Sequence, residues 1–206
     1  QVRESRMAAG RPARPGGSAA AGAVPDGADA LMLSGETSVG KHAFAAVRTM
    51  ARIIENTEDH GLHRIRPLGT RPSSKGGAVT AAAADIGELL GVKFLITFTE
   101  SGDSTRRLSR VRPRIPMLAF TPNQWTRSQL ALTWGVETFL VGKAKHTDEM
   151  AMQVDEVLLA AGRVLEGDTV IIVAGSPPGI PGSTNALRVH RVGDAKNRVA
   201  PAYSEL

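Results

Sequence analysis

From residue 73 onward, two kinds of stretch follow each other along the chain: continuous apolar runs, and stretches in which apolar and polar residues are mixed. Four short stretches, at residues 93–98, 117–121, 136–141 and 169–174, are apolar runs rich in β-branched residues, which is typical of buried strands. Between these runs, apolar residues recur every three or four positions, which is typical of helices with one buried face. The alternation predicts an α/β fold in which a mostly parallel sheet carries helices on both faces.

A fifth strand is predicted at residues 186–192, where ALRVHRV alternates between apolar and polar positions. The segment that joins it to the fourth strand, GSPPGIPGST at residues 175–184, contains no helix that would carry a right-handed crossover. We therefore expect this last strand to be antiparallel and to lie at an edge of the sheet. An edge strand with one apolar side is a surface on which another subunit can pair.

Residues that cap helices mark several of the predicted helix ends. Ser73 or Ser74 is the expected N-cap of a helix that stops at Gly91. Asn123 is the expected N-cap of the following helix, and Thr147 is the expected N-cap of the longest one. These caps fix the helix boundaries that the apolar spacing leaves open.

The first 72 residues show a less regular pattern. Residues 1–25 are dominated by Ala, Gly, Arg and Pro and are expected to have weak order, because glycines weaken a helix and Pro25 ends one. An apolar strand is predicted at residues 28–33, and a helix is predicted over residues 47–58. Residues 59–72 are polar, contain two prolines and lack periodicity, so they are the expected linker and domain boundary.

Composition narrows the class of protein. The chain of 206 residues is 42% hydrophobic and 22% charged, as in ordinary globular proteins. Cysteine is absent, which excludes disulfides, thiolate chemistry and cysteine-based metal sites and fits a cytoplasmic location. No apolar run approaches the roughly 18 residues of a membrane helix. Residues 1–10 also lack the apolar core of a signal peptide.

The net charge of +5 would suit nucleic acid, phosphate esters or anionic surfaces as partners. The arginines cluster at residues 106–114, but aromatic residues are not interleaved with them as a base-stacking surface requires. This pattern favours a solvated helix end, so no nucleic-acid partner and no membrane partner is expected.

Two loops rich in hydroxyl groups and glycine follow predicted strands. Residues 99–105, here called the first loop, lead from strand 93–98 into a helix that begins near Arg106. Unpaired backbone N–H groups, the positive end of the helix dipole and side-chain hydroxyls would together form an anion cradle. An ordinary turn capped by Ser101 or Ser104 is the alternative. Ligands of parallel sheets bind at the carboxyl ends of the strands, where residues 175–184, the second loop, would meet the first loop on one phosphorylated ligand. The residues alone leave both interpretations open.

Residues 35–42, GETSVGKH, nearly match the nucleotide phosphate loop GxxxxGK[ST]. His42 occupies the last position, so the hydroxyl that binds Mg²⁺ in that motif is missing. Lys41 would still reach a phosphate from the start of a helix, and the motif by itself does not settle nucleotide binding.

Three segments resemble bacterial pyruvate kinases: DGADALMLSGETSVGKHAFAAVRTMARIIENTE at residues 26–58, FLITFTESGDSTRRLSRVRPRIPMLAFTPN at residues 94–123, and GDTVIIVAGSPPGIPGSTNALRVHRVG at residues 167–193. Enzymes of that family transfer a phosphoryl group from phosphoenolpyruvate to ADP in glycolysis, using Mg²⁺ and usually K⁺, and yield pyruvate and ATP. The resemblance implies a TIM barrel followed by a C-terminal α/β domain, assembled into cytoplasmic homotetramers. It also places residues 35–42 at the end of a barrel strand and not in a nucleotide phosphate loop.

The resemblance implies three parts. Residues 1–72 would be a remnant of the barrel, with its last strand and helix plus a linker; residues 73–193 would be the C-terminal α/β domain, and residues 194–206 a polar tail. The family's catalytic lysine, its acidic Mg²⁺ ligands and its phosphate-binding arginine fall before Gln1, so no catalytic residue and no bound Mg²⁺ or K⁺ is expected here. Because residues 13–24 depart from the family pattern, we expect a truncated or decaying copy, or an error in the gene boundary, that is inactive alone. A non-catalytic module for effector binding and oligomerisation is the alternative.

An effector site carries over more completely, with a sugar monophosphate or AMP as its expected ligand. Glu100 and Asp103 place negative charge in the first loop, and Val157 stands where some members carry an arginine for a second phosphate, so little or no binding of fructose bisphosphate is expected. The residues that match the family's two effector loops are Thr99, Ser101, Gly102, Ser104, Thr105, Gly179, Gly182, Ser183 and Thr184.

Overall fold

The computed structural model describes residues 14–61, 72–180 and 182–195. The chain divides into two compact units, Gln1–Arg66 and Pro67–Leu206, each with its own internal contacts. The two units are described separately below.

The first unit is helical in its described part. It contains α1 (Arg14–Ala23), the four-residue α2 (Gly35–Ser38) and α3 (Ala43–Gly61), and both shorter helices lie against α3. The predicted helix over residues 47–58 is confirmed within α3. Of its apolar residues Met50 is buried, whereas Val47 is half exposed.

The expectation of weak order before Pro25 is wrong for residues 14–23, which form α1. Alanine is the best helix former, and residues 19–21 and 23 are all alanine, which offsets the glycines. Pro15 stands in the first turn, where the missing N–H has no helical partner to lose. Residues 1–13 lie outside the described residues.

The predicted strand at residues 28–33 is also wrong, because the structure has no regular element there. A strand is defined by its hydrogen-bonded ladder to a neighbour, and no segment within residues 14–61 pairs with this one. Met32, an apolar residue of this segment, is 81% exposed. Apolar sequence alone is therefore not enough to form a strand at this position.

The second unit contains a mixed five-stranded sheet in the order β3-β2-β1-β4-β5. All neighbouring strands are parallel except β4 and β5, which are antiparallel, so the predicted α/β fold with an antiparallel edge strand is confirmed. In chain order its elements are α4 (Lys75–Leu90), β1 (Phe94–Phe98), α5 (Asp103–Arg110), β2 (Met117–Thr121), α6 (Gln124–Leu130), β3 (Val136–Leu140), α7 (Thr147–Ala160), β4 (Thr169–Gly175) and β5 (Thr184–Arg191).

Apolar clusters cover both faces of the sheet. Side chains alternate along each strand, so Leu95 of β1 packs with α4 and α5 while its neighbour Ile96 packs with α7. The cluster beneath α4 and α5 is built from Ala83, Ala84, Val92, Leu95, Leu108, Met117, Ile171 and Val173. The cluster beneath α7 is built from Phe94, Ile96, Leu118, Phe120, Ala151, Val154, Leu158, Val164, Val170, Ile172 and Val192.

Two of the predicted N-caps are confirmed. Ser74 accepts a hydrogen bond from the backbone N–H of Gly77, and Asn123 accepts from the N–H groups of the first turn of α6. The predicted C-cap Gly91 adopts the left-handed conformation that ends α4, with φ of 60°.

The predicted cap at Thr147 is wrong, since Thr147 is the first residue inside α7 and His146 is its N-cap, without a side-chain cap bond. Glu149, in the first turn of α7, holds the chain just before the helix, because its carboxylate accepts a hydrogen bond from the backbone N–H of Lys145 at 2.6 Å. An acidic residue in the first turn also interacts favourably with the helix dipole.

A buried polar pair joins α7 to the edge strand. His190 Nε2 of β5 lies 2.7 Å from Asp155 Oδ1 of α7, and both side chains are almost completely buried. The other carboxylate oxygen of Asp155 accepts from the backbone N–H of Gly193 at 3.0 Å. Each polar atom of the carboxylate therefore has a partner, which is the condition for placing it in an apolar interior.

Asp168 gives a testable pH dependence of stability. Its carboxylate accepts from the backbone N–H of Leu165 at 2.8 Å and from Lys93 Nζ at 2.6 Å, and these bonds lower the pKa of Asp168. A lowered pKa in the folded state contributes stability above the unfolded pKa, and this contribution is lost as the pH falls through the folded value. We expect Asp168→Asn to reduce the free energy of unfolding by roughly 0.5–1 kcal/mol at pH 7, and by much less at pH 2.5, as measured by urea denaturation.

Asp85→Asn is the matched control for this prediction. Asp85 is an exposed residue in the interior of α4, away from the first turn of that helix, so little change is expected at either pH. An equal loss for Asp168→Asn at pH 7 and pH 2.5 would contradict the assignment.

Candidate functional site

A pocket opens at the carboxyl edge of the sheet between the loops that follow β1 and β4. The strand order places β1 beside β4, although the chain leaves β1 toward β2 and reaches β4 only after crossing back through α7. The loops after β1 and β4 therefore diverge, which is the switch point where open α/β sheets bind their ligands. The pocket has about 610 Å³ of empty space, including its open mouth.

The first loop is capped differently from the prediction. Gly102, with φ of 85°, is the N-cap of α5 and contributes no side chain, so the expected capping by Ser101 or Ser104 is wrong. Thr99 fixes the residue before the helix, because its Oγ1 accepts a hydrogen bond from the backbone N–H of Gly102 at 2.8 Å. The hydroxyls of Ser101 and Ser104 are consequently not used as caps of this helix.

Side chains from two helices hold the carbonyl groups of the first loop. Thr126 of α6 donates to the Glu100 carbonyl at 2.6 Å, and Arg106 of α5 donates to the Ser101 carbonyl at 3.0 Å. Arg106 is itself held by Gln129 Oε1 at 3.2 Å. The backbone of the loop is therefore fixed by its neighbours independently of any ligand.

The first turn of α5 presents donors toward the loop. The first helical hydrogen bond runs from the N–H of Arg106 to the carbonyl of Gly102, so the N–H groups of the three preceding residues are not used by the helix. The helix dipole is positive at this end and favours an anion. The hydroxyl of Thr105 does not face the loop, since it is buried and bonded to Thr97 Oγ1 at 2.6 Å.

The second loop is fastened at its base and touches the first loop. The side chain of Asn185 accepts from the backbone N–H of Ser176 and donates to the Ser176 carbonyl, both at 2.7 Å. The hydroxyls of Ser104 and Thr184 hydrogen-bond to each other across the two loops. Sequence reasoning missed Asn185, because the only signal was an amide residue at the start of the last strand.

The structure brings seven of the nine predicted site residues to one pocket. Gly102 and Thr105 are the two that do not line it. The seven that line the pocket are Thr99, Ser101, Ser104, Gly179, Gly182, Ser183 and Thr184. The two loops thus converge, as the sequence suggested they would.

Apolar side chains also line the pocket. Phe98 and Phe120 lie with their ring centroids 5.2 Å apart, and Met150 and Ile180 are further apolar lining residues. A ligand that combines an anionic group with a ring or other apolar part would match both the polar and the apolar lining residues. Val157 does not contribute, because it packs against the core beneath α7.

Both acidic residues of the first loop are in ion pairs. Glu100 Oε1 lies 3.0 Å from Lys143 Nζ, and Asp103 Oδ2 lies 2.6 Å from Arg107 Nε. The hydrogen bond to Asp103, together with the charge of its carboxylate, raises the pKa of Arg107. Arg107 also donates to Ser74, the N-cap of α4, at 2.8 Å.

Lys143 is a pocket residue that sequence reasoning missed. It follows β3, whose carboxyl end lies at the same edge of the sheet as those of β1 and β4. Its position directly after a glycine at the end of a predicted strand was the available signal, but the strand order was needed to bring it to the pocket.

Residues 35–42 do not form a nucleotide phosphate loop. Residues 35–38 coil into α2, no strand precedes them, and Lys41 is exposed. Among the described residues there is no group of three or more His, Asp or Glu side chains placed to hold a metal ion. The described helices also include none with the length and apolar character of a membrane span.

The sheet order, the two-sided core and the pocket at the switch point define an α/β domain of the doubly wound type with a candidate ligand site at its carboxyl edge. Residues 77–190 match the family described as pyruvate kinase, alpha/beta domain. The chain belongs to the pyruvate kinase family.

Curated relatives and a solved structure agree with this assignment. The chain is 53% identical over 194 residues to a pyruvate kinase of Mycobacterium tuberculosis, covering 94% of this chain and 41% of the relative. It is 47% identical to a pyruvate kinase of Corynebacterium glutamicum, covering 94% and 40%. The crystal structure of a pyruvate kinase from Cryptosporidium parvum aligns with a TM-score of 0.80 and 27% identity, covering 93% of this chain and 39% of that one. The chain thus spans about two fifths of the length of these proteins.

Gly175 offers a test of how tightly the second loop closes on β4. A Cβ at this position would lie 2.0 Å from Ser183 Oγ, so a larger residue must displace a pocket side chain. We expect Gly175→Ala to lower the free energy of unfolding by roughly 1–3 kcal/mol, measured by urea denaturation.

Gly142→Ala is the control, because it lines the same pocket but its Cβ would meet only Gln153 Nε2 at 3.8 Å. Ser183→Ala combined with Gly175→Ala removes the colliding hydroxyl and should recover most of the loss. Equal stability of the Gly175→Ala and Gly142→Ala variants would contradict the geometry.

Proposed function

We propose that this chain is the regulatory and assembly part of a pyruvate kinase and that its pocket binds an effector carrying one phosphate group. The observation that carries the proposal is the convergence of the first and second loops at the switch point of the sheet. Ser101, Ser104, Ser183 and Thr184 provide hydroxyls, and the first turn of α5 provides N–H groups and a positive dipole. A sugar monophosphate or AMP has a phosphate that suits the hydroxyl and N–H groups of the pocket and a ring that suits its apolar side chains.

The charges of the pocket support one phosphate and not two. Each acidic residue of the first loop is already balanced by one cation, Glu100 by Lys143 and Asp103 by Arg107. A second phosphate would add negative charge beside two carboxylates without a further cation among the described lining residues. Fructose bisphosphate is therefore expected to bind weakly or not at all.

The catalytic reaction is assigned to a polypeptide that also carries the rest of the barrel. Phosphoryl transfer from phosphoenolpyruvate to ADP depends on cations and metal ions positioned around the transferring group. The described residues do not fit such a centre, since they include no cluster of potential Mg²⁺ ligands, and we assign no step of the reaction to them. In this proposal residues 1–72 belong to the barrel, Mg²⁺ and K⁺ bind outside this stretch, and the cytoplasmic assembly is a homo-oligomer that pairs through the α/β domain.

A non-catalytic module for effector binding and oligomerisation is the second candidate. It is favoured by the completeness of the second unit, which has its own sheet, its own core on both faces and the whole pocket. The two candidates share the effector site and differ only in whether a catalytic barrel accompanies it.

Isothermal titration calorimetry tests the effector proposal. We expect AMP or glucose 6-phosphate to bind the full chain saturably, and fructose 1,6-bisphosphate to bind at least tenfold more weakly. Ser183→Ala removes a hydroxyl donor and should weaken binding by roughly tenfold, because hydrogen bonds to charged groups contribute about 1.5–3 kcal/mol. Ser128→Ala, an exposed hydroxyl on α6 that bonds only within its own helix, is the control. Tight, salt-sensitive binding of fructose bisphosphate would contradict the selectivity.

A coupled lactate dehydrogenase assay tests the assignment of catalysis. The chain alone, with phosphoenolpyruvate, ADP, Mg²⁺ and K⁺, is expected to show no turnover above a protein-free control. Turnover that persists after repurification would show that catalytic groups lie within this stretch. That result would not contradict the proposal that the pocket binds an effector.

A further inference from the structure

Lys143 occupies the meeting point of three loops. It follows β3, its Nζ lies 3.0 Å from Glu100 Oε1 on the first loop, and its stem borders Gly179 on the second loop. A Cβ at Gly179 would lie 3.2 Å from Lys143 Cε, so the glycine permits this close approach. Among the described residues that line the pocket, Lys143 is the one with a cationic side chain.

The ion pair between Lys143 and Glu100 is easily exchanged. The side chain of Lys143 is 63% exposed and that of Glu100 is 34% exposed, so water screens the attraction. Exposed pairs of this kind shift an equilibrium by roughly fivefold at most. A phosphate monoester carries about −1.5 to −2 charges at pH 7, so at a similar distance it attracts the ammonium group more strongly than the single charge of a carboxylate does.

The second charge pair near the pocket is of a different kind. Arg107 and Asp103 lie four residues apart on α5, and Arg107 is bonded to Ser74 as well. Arg107 does not line the pocket. This pair fastens α5 to the start of α4, whereas the pair of Lys143 and Glu100 spans the pocket itself.

We propose that Lys143 is an anion-binding residue of this pocket and that Glu100 is its internal competitor. This inference rests on the proposed function, because it assumes that the pocket takes a phosphate. In the empty pocket the ammonium group of Lys143 is paired with Glu100. When a phosphate monoester binds, Lys143 leaves Glu100 and pairs with the phosphate. The carbonyl of Glu100 is held by Thr126, so the exchange needs side-chain rotations of Lys143 and Glu100 and no movement of the loop backbone.

The exchange sets the class of ligand. Once Lys143 has moved to the phosphate, the carboxylate of Glu100 is left without its cation and faces the rest of the ligand. A carboxylate accepts hydrogen bonds from hydroxyl or amino groups and repels a second anion. The ligand is therefore a phosphate monoester that carries a hydroxyl or amino group near its phosphate and no second anionic group.

Binding of two probes, inorganic phosphate and glucose 6-phosphate, tests the inference by calorimetry on the full chain. Lys143→Met is expected to weaken both about tenfold, while Lys145→Met, which removes an exposed lysine two residues away that does not line the pocket, should change affinity by less than twofold. Glu100→Gln is expected to strengthen inorganic phosphate about threefold to fivefold, because the competitor is removed.

The double variant separates competition from simple repulsion. If Glu100 competes for Lys143, the gain from Glu100→Gln appears only when Lys143 is present. If Glu100 merely repels the anion, the gain is as large or larger in the Lys143→Met background, and the inference is wrong. Circular dichroism of each variant shows that the fold is retained.

The outcomes also separate this inference from the proposed function. If the wild-type chain binds the probes and Lys143→Met binds them equally well, the role of Lys143 is overturned and the proposal of an effector pocket stands. Absence of binding of either probe to the wild-type chain and to the Glu100→Gln variant overturns both.

Discussion

The parallel pairing of β1 with β4 determines where everything else in the second unit lies. The paired residues are 76 positions apart in the chain, yet they are aligned from Phe94 opposite Val170 to Thr97 opposite Val173. Most of these side chains are completely buried, in clusters on both faces of the sheet, so burial of apolar surface stabilises the pairing. Because the strands are parallel, the first and second loops both emerge at the same edge, and the contact between Ser104 and Thr184 becomes possible.

Charge balance is the second constraint on the pocket. The hydroxyls and N–H groups of the two loops attract anions, but Glu100 and Asp103 add negative charge to the same place. The structure compensates with one cation from a neighbouring loop and one from the same helix, Lys143 and Arg107. The hydroxyl and N–H groups of the pocket therefore favour an anion, while the charges of its side chains nearly cancel. Such a pocket suits a ligand of low charge with polar substituents better than a highly charged one.

The sequence predicted best what depends on local pattern. Continuous apolar runs predicted β1 to β4, and the caps Ser74, Gly91 and Asn123 were correct because each acts on backbone groups within four residues of itself. Several predictions that needed distant partners were wrong or absent. The strand expected at residues 28–33 needed a neighbour, Thr105 turned inward toward Thr97, and Lys143 reached the pocket only through the order of strands in the sheet, which no local signal encodes. The family resemblance located the two loops, but the side chains that hydrogen-bond to their backbone, those of Thr126, Arg106 and Asn185, became visible only in three dimensions.

The buried pair of Asp155 and His190 has a consequence for how this family can drift in sequence. One residue lies on α7 and the other on β5, and each side chain is shut away from water with the other as its hydrogen-bond partner. Replacement of either one alone leaves the other polar side chain buried without its partner, whereas replacement of both by apolar residues of similar volume leaves only the partly buried N–H of Gly193 without its acceptor. The two positions, 35 residues apart, are thus expected to covary among homologues. Substitutions on α7 and on β5 would then be linked, although no loop connects these two elements directly.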